Sequence, residues 1–136
     1  MLMLRSPQEA YRRIDFDARV ETSDSAQLVG LCFEQVVAAL GTAIFAHDRR
    51  DTSLRGESLT RALSAVMALR LGVRGEAQAN EGGVTEALHQ LYEGAGRTIL
   101  DAVMDFDALA LSRLRDDLRD IAAALVAAPM EQRQAA

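Results

Sequence analysis

Two histidines, one cysteine and a scatter of carboxylates are the side chains in this chain best suited to chemistry. His47 and His89 lie 42 positions apart, and no H-x-x-H or H-x-x-x-H spacing joins them to a second imidazole. A metal would need further ligands brought in from elsewhere, so no metal site is expected. Cys32 is the single cysteine, which excludes an internal disulfide and any cysteine-based zinc cage. It sits in an apolar helical run, where a thiol is a buried structural group. The carboxylates form no close pair within apolar surroundings, as general acid–base catalysis requires. Gly94, Ala95 and Gly96 do not make a phosphate loop, since no strand precedes them and the rest of the glycine fingerprint is missing. No catalytic residue and no cofactor are assigned.

His89 lies in His-Gln-Leu-Tyr-Glu-Gly, which resembles the helix of histidine phosphotransfer domains. Those need a nearby cation for the phosphoryl oxygens and a glycine four residues on. Here Tyr92 and Glu93 fill the third and fourth positions, and Gly94 comes one residue late. His89 therefore reads as a surface histidine, with phosphotransfer as the alternative function. His47, beside Asp48 at a helix end, suits the negative pole of the helix dipole.

The elements that position these residues are helical. The chain has 136 residues, 49% hydrophobic but only 4% aromatic, so Ala, Leu and Val carry the core. With Arg, Glu, Gln and Asp between them, these favour helices. The size suits a single domain over residues 1–136. The net charge of −5 argues against nucleic acid, whose binders present a basic face. All fifteen basic residues are Arg, which closes mechanisms that need a lysine. No basic-then-apolar leader with a small-residue cleavage site is visible, so a cytoplasmic chain is expected.

Capping and stop signals divide the chain into one short helix and four long ones. Ser6, Pro7 and Glu9 open a short helix over about residues 7–14, carrying Tyr11 and Ile14. This N-terminal cap segment extends to residue 23. Asp24 opens the first long helix, which reaches about Asp48. Asp51 caps the second, to about Arg74, with Leu59, Ala62, Leu63, Val66, Leu69 and Val73 on its apolar face. Residues 75–83 form a glycine-bearing loop. The third helix spans about residues 84–104, with Val84, Leu88, Leu91, Ala95, Ile99 and Ala102 inward. Asp107 caps the fourth, which presents Leu111, Leu114, Leu118, Ile121 and Leu125 and is expected to stop before Pro129. The expected fold is all-α: an antiparallel up-and-down four-helix bundle over residues 24–128, with a flexible tail at 129–136.

The first long helix carries two apolar stripes. Leu28, Leu31, Cys32, Gln35 and Ala39 make one; Val29, Phe33, Val36, Val37, Leu40 and Ile44 make the other. Either it is a central helix with many neighbours, or the surplus is covered by the N-terminal helix, a second subunit or a partner segment. Residues 26–46 are also about long enough to span a bilayer. Glu34 and Gln35 stand near the centre, however, and a mid-bilayer carboxylate costs on the order of 3 kcal/mol, so no membrane insertion is expected. Gly94 and Gly96 each cost a helix roughly 1 kcal/mol against Ala. They mark either a shallow spot for a bound segment or a tight internal crossing.

The order of several segments resembles the flagellin export chaperones, the FliS family. These are Ala10-Tyr11-Arg12-Arg13-Ile14, the stretch from Val20 through Gln27, Leu28 and Val29, and Leu31-Cys32-Phe33-Glu34. They continue with Gly56-Glu57-Ser58-Leu59-Thr60-Arg61-Ala62, Glu81-Gly82-Gly83, Leu88, Leu91-Tyr92, Arg97, Ile99-Leu100 and Asp107. The likeness covers about residues 8–127. Ser25, Gln35, Ala87 and the Gly94-Ala95 pair depart from the family pattern. The resemblance implies a four-helix bundle with a short N-terminal cap helix. It further implies a chaperone that binds the disordered C-terminal part of flagellin, prevents premature polymerisation and presents it to the flagellar export gate. Candidate partner-binding residues are Tyr11 and Ile14 in the cap, Leu28, Val29, Leu31 and Phe33 on the first long helix, and Leu88, Leu91 and Tyr92 on the third. A homodimer with no client is a third reading.

Overall fold

The computed structural model describes the backbone of residues 25–77 and 83–135 and the side chains of residues 27–72 and 86–124. Four helices follow in order: α1 (Ser25–Asp48), α2 (Thr52–Ala77), α3 (Gly83–Met104) and α4 (Ala108–Ala135). The described residues thus form the expected four-helix bundle. The short cap helix with Tyr11 and Ile14 lies outside them.

Local chemistry fixes both tight turns. At the end of α1, the Asp51 amide donates to the Ala46 carbonyl at 2.8 Å and the Arg50 amide to the His47 carbonyl at 3.0 Å. This is a Schellman ending, and Arg50 occupies its left-handed position at φ 58° in place of the usual glycine. Asp51 then caps α2, its Oδ1 accepting from the Leu54 amide at 3.0 Å. Asp107 repeats the arrangement at α4, accepting from the Ala110 amide at 3.1 Å. Helices α2 and α3 each reach further into the glycine-bearing connection than expected, to Ala77 and from Gly83.

The end of α4 corrects the sequence reading. Pro129 was expected to stop the helix, yet it continues to Ala135. Proline removes one donor and crowds the carbonyl four residues back. The residues on either side, Ala127, Ala128, Met130, Glu131 and Gln132, are strong helix formers, and the missing donor interrupts one bond only.

Helix α1 is the hub. It packs on α2 and on α4, α2 packs on α3, and α3 touches α4 only slightly. Phe33, Val36, Leu40 and Ala43 of α1 meet Leu59, Ala62, Val66 and Leu69 of α2, Tyr92, Ala95, Ile99 and Ala102 of α3, and Leu111 and Leu118 of α4. Ala39, Ala43 and Ala46 are fully buried on α1, as is Ala62 on α2. Side chains this small let the neighbouring backbones approach closely, so α1 can be covered from several directions at once. Its apolar stretch Gln27–Asp48 is long and apolar enough to cross a membrane by length and composition alone. In this fold the same stretch supplies the centre of the core.

At the lower end of the bundle, His47 stacks on Phe106 of the α3–α4 turn with ring centroids 4.1 Å apart. Arg55 Nη1 lies 3.0 Å from His47 Nδ1, and its guanidinium sits over the Phe106 ring. His47 thus joins α1, α2 and the α3–α4 turn, a larger structural part than a helix-end charge would play.

Candidate polypeptide-binding site

The two-striped helix α1 was the expected source of surplus apolar surface, and the bundle itself consumes most of it. Leu31 and Phe33 are core side chains, 7% and 1% exposed. Val36, Ala39 and Leu40 are fully enclosed, while Val37 and Ile44 lie partly buried against the same core. The physical reason is the hub position: α2 and α4 flank α1, and α3 reaches it across the bundle through Tyr92. The Tyr92 ring meets Phe33 edge-on at 5.9 Å and is 2% exposed. Leu31, Phe33 and Tyr92 therefore present little surface to a partner in this structure. Leu28 and Val29 remain partly exposed at the start of α1, and Leu88 and Leu91 are partly buried on α3.

Among the described residues, Phe45 on α1 and Leu109 on α4 are exposed, and further open apolar surface lies on the outer face between α2 and α3. Leu63, Val66, Met67 and Arg70 from α2 and Glu93, Gly96, Arg97 and Leu100 from α3 line a trough of about 270 Å³. Met67 is 49% exposed and Leu100 53%. Leu71, one turn beyond Met67, and Val103 and Met104, below Leu100, extend the apolar surface along both helices and are exposed as well. The volume falls below the roughly 300–1,000 Å³ typical of clefts that enclose small ligands. An open trough between two helices suits the side-chain row of a third.

Gly96 lines this trough. A Cβ placed there would make ordinary contact with Val66 Cγ1 at 3.7 Å, so α2 and α3 meet here without requiring glycine. A Cβ at Gly94 would meet nothing within 4 Å, and Gly94 is exposed. Gly96 is buried where α2 and α3 meet along the trough, and Gly94 stands exposed.

Charge at the trough is partly committed. Glu93 Oε1 lies 3.6 Å from Arg97 Nη2, and Glu93 Oε2 lies 3.7 Å from His89 Nε2. His89 therefore faces a carboxylate where a phosphoryl acceptor needs a cation, and no observation favours the phosphotransfer alternative. Burial pushes the Cys32 thiol above its ordinary pKa, which keeps it protonated and unreactive at neutral pH. Among the described residues, no three His, Cys, Asp or Glu side chains converge as a metal site.

The trough residues were legible only in part. Leu63 stands on the inward stripe read for α2. Met67, Leu71, Leu100, Val103 and Met104 fall off the stripes read for α2 and α3. Apolar residues beyond a helix's core stripe are the signal that marks them.

A four-helix bundle with an open apolar trough on one face has the architecture of a polypeptide-binding protein. The chain belongs to the flagellar protein FliS family, whose pattern matches residues 7–132. This is a family of flagellar chaperones. No curated protein is similar enough to this chain to match it.

Proposed function

We propose that this chaperone binds the disordered C-terminal segment of flagellin in the α2/α3 trough, in the cytoplasm, prevents its premature polymerisation and delivers it to the flagellar export gate. The observation that carries the reading is the open trough with Met67 and Leu100 about half exposed on its lining, on two helices that also expose Leu71, Val103 and Met104. Contiguous exposed apolar surface is uncommon on a monomeric protein and marks an interaction site. A disordered client gains order by laying apolar helical turns into such a groove, and it covers in the chaperone the surface it would use in the filament.

Calorimetry with the full-length chain and a peptide of the flagellin C-terminal segment tests this. Binding should show a negative heat-capacity change from apolar burial. Leu100→Glu should lower affinity more than tenfold. Equal affinity of wild type and Leu100→Glu would contradict placement of the client in the trough.

Tyr11 and Ile14 extend the proposal. An N-terminal segment that covers a client-binding surface until flagellin displaces it would compete with the client. Removal of residues 1–18 should then raise flagellin affinity or expose a dye-binding apolar patch. No change in either would refute the covering role.

A further inference from the structure

We infer that Met67 makes the α2/α3 trough sensitive to oxidation, so that a peroxide which converts its thioether to the sulfoxide lowers the affinity for the client. The inference rests on the trough as the client site and adds a means by which that site is regulated.

Two methionines fall among the described side chains, Met67 on α2 and Met104 at the end of α3. Of the two, Met67 lines the trough, and it is 49% exposed, so a dissolved peroxide reaches it when no client is bound. The other lining side chains carry no sulfur. Cys32 is the contrast. It is 5% exposed and burial raises its pKa, so little of the thiolate that peroxide attacks forms at neutral pH. The oxidisable group thus sits on the binding surface and the thiol inside the core.

The step is a two-electron oxygen transfer. A lone pair of the Met67 sulfur attacks one peroxide oxygen, the S–O bond forms as the O–O bond breaks, and the rest of the peroxide leaves as water or an alcohol after a proton shift. The product is polar where the thioether was apolar, and it acts differently on the two states of the trough. In the free chain the new oxygen accepts hydrogen bonds from water. Under a bound helix it shares the trough with Leu63, Val66 and Leu100. The main-chain amides of that helix are bonded within it, except in its first turn. Of the two guanidinium groups there, Arg97 already faces Glu93 at 3.6 Å, and the Nε of Arg70 is shut off from solvent. The sulfoxide oxygen therefore loses its water on binding without gaining a main-chain donor, and the complex bears the cost. Enzymatic reduction to the thioether removes that cost, which makes the change reversible.

The test treats the full-length chain with hydrogen peroxide, removes the peroxide and titrates the flagellin C-terminal peptide by calorimetry. Mass spectrometry of a digest reads the oxidation of each methionine. Wild type oxidised at Met67 should bind at least about tenfold more weakly than before treatment, and methionine sulfoxide reductases should restore the starting affinity. Met67→Leu has its own starting affinity, and the same treatment should change that value by less than about twofold. Circular dichroism before and after treatment confirms that each sample is folded. Full oxidation of Met67 with affinity kept would overturn the inference. So would an equal loss on wild type and Met67→Leu, or a Met67 that stays unoxidised while Met104 reacts. In each of these cases the trough reading stands if Leu100→Glu weakens binding of the untreated chain. If the peptide fails to bind untreated wild type, the trough reading falls and this inference with it.

Discussion

Helix α1 and the outer face of α2 and α3 are both rich in apolar side chains, but they meet opposite fates. On α1, Val36, Ala39, Leu40, Ala43 and Ala46 have no exposure at all. On the outer face, Leu71 is 65% exposed and Met104 87%. The difference lies in position within the bundle. Helix α1 has neighbours on two sides and Tyr92 reaching across, whereas α3 borders α2 closely and α4 hardly at all. An apolar residue count cannot separate the two cases. Which face of its helix a side chain occupies does.

Paired substitutions probe that contrast, and the largest effect is expected in the enclosed region. Phe33→Ala removes a fully buried ring that touches Tyr92, and it should cost about 3–5 kcal/mol of stability by chemical denaturation. Leu100→Glu changes an exposed trough residue and should stay within about 0.5 kcal/mol of wild type in the same experiment. It should nevertheless lose client affinity, so the two variants separate folding from binding. A large stability loss for Leu100→Glu would erase the distinction between the regions.

Smaller effects are expected at the turns that hold the helices in place. Asp51→Ala removes the acceptor for the Leu54 amide and should cost about 1 kcal/mol. Arg50→Gly relieves a left-handed residue at φ 58° and should stabilise the bundle by about 0.5–1 kcal/mol in thermal melts. Neither should alter client affinity, because both lie at the α1–α2 turn and not along the trough.

Much of the fold was legible in the sequence because its signals are local. Asp51 and Asp107 announced two helix starts, and both cap as read. The three-and-four spacing of Leu111, Leu114 and Leu118 gave the inward face of α4, where Leu111 and Leu118 are buried and Leu114 partly so. The helix runs through Pro129, since a proline's local penalty does not stop a helix whose adjoining residues Ala127, Ala128, Met130, Glu131 and Gln132 favour it. The candidate site was less legible. Leu31, Phe33 and Tyr92 read as partner candidates and are buried in this fold, because an apolar stripe does not say whether its neighbour lies in the same chain or another. The trough depends on the α2/α3 crossing at Gly96 and Val66, residues thirty positions apart, and only the fold brings them together.

Amide hydrogen exchange on the full-length chain, with and without the flagellin C-terminal peptide, tests the placement of the client most directly. Added protection should concentrate on α2 around Met67 and Leu71 and on α3 from Glu93 to Met104, leaving the centre of α1 unchanged. Protection that instead appears on α1 around Leu31 and Phe33, with the outer face of α2 and α3 unaffected, would contradict the account.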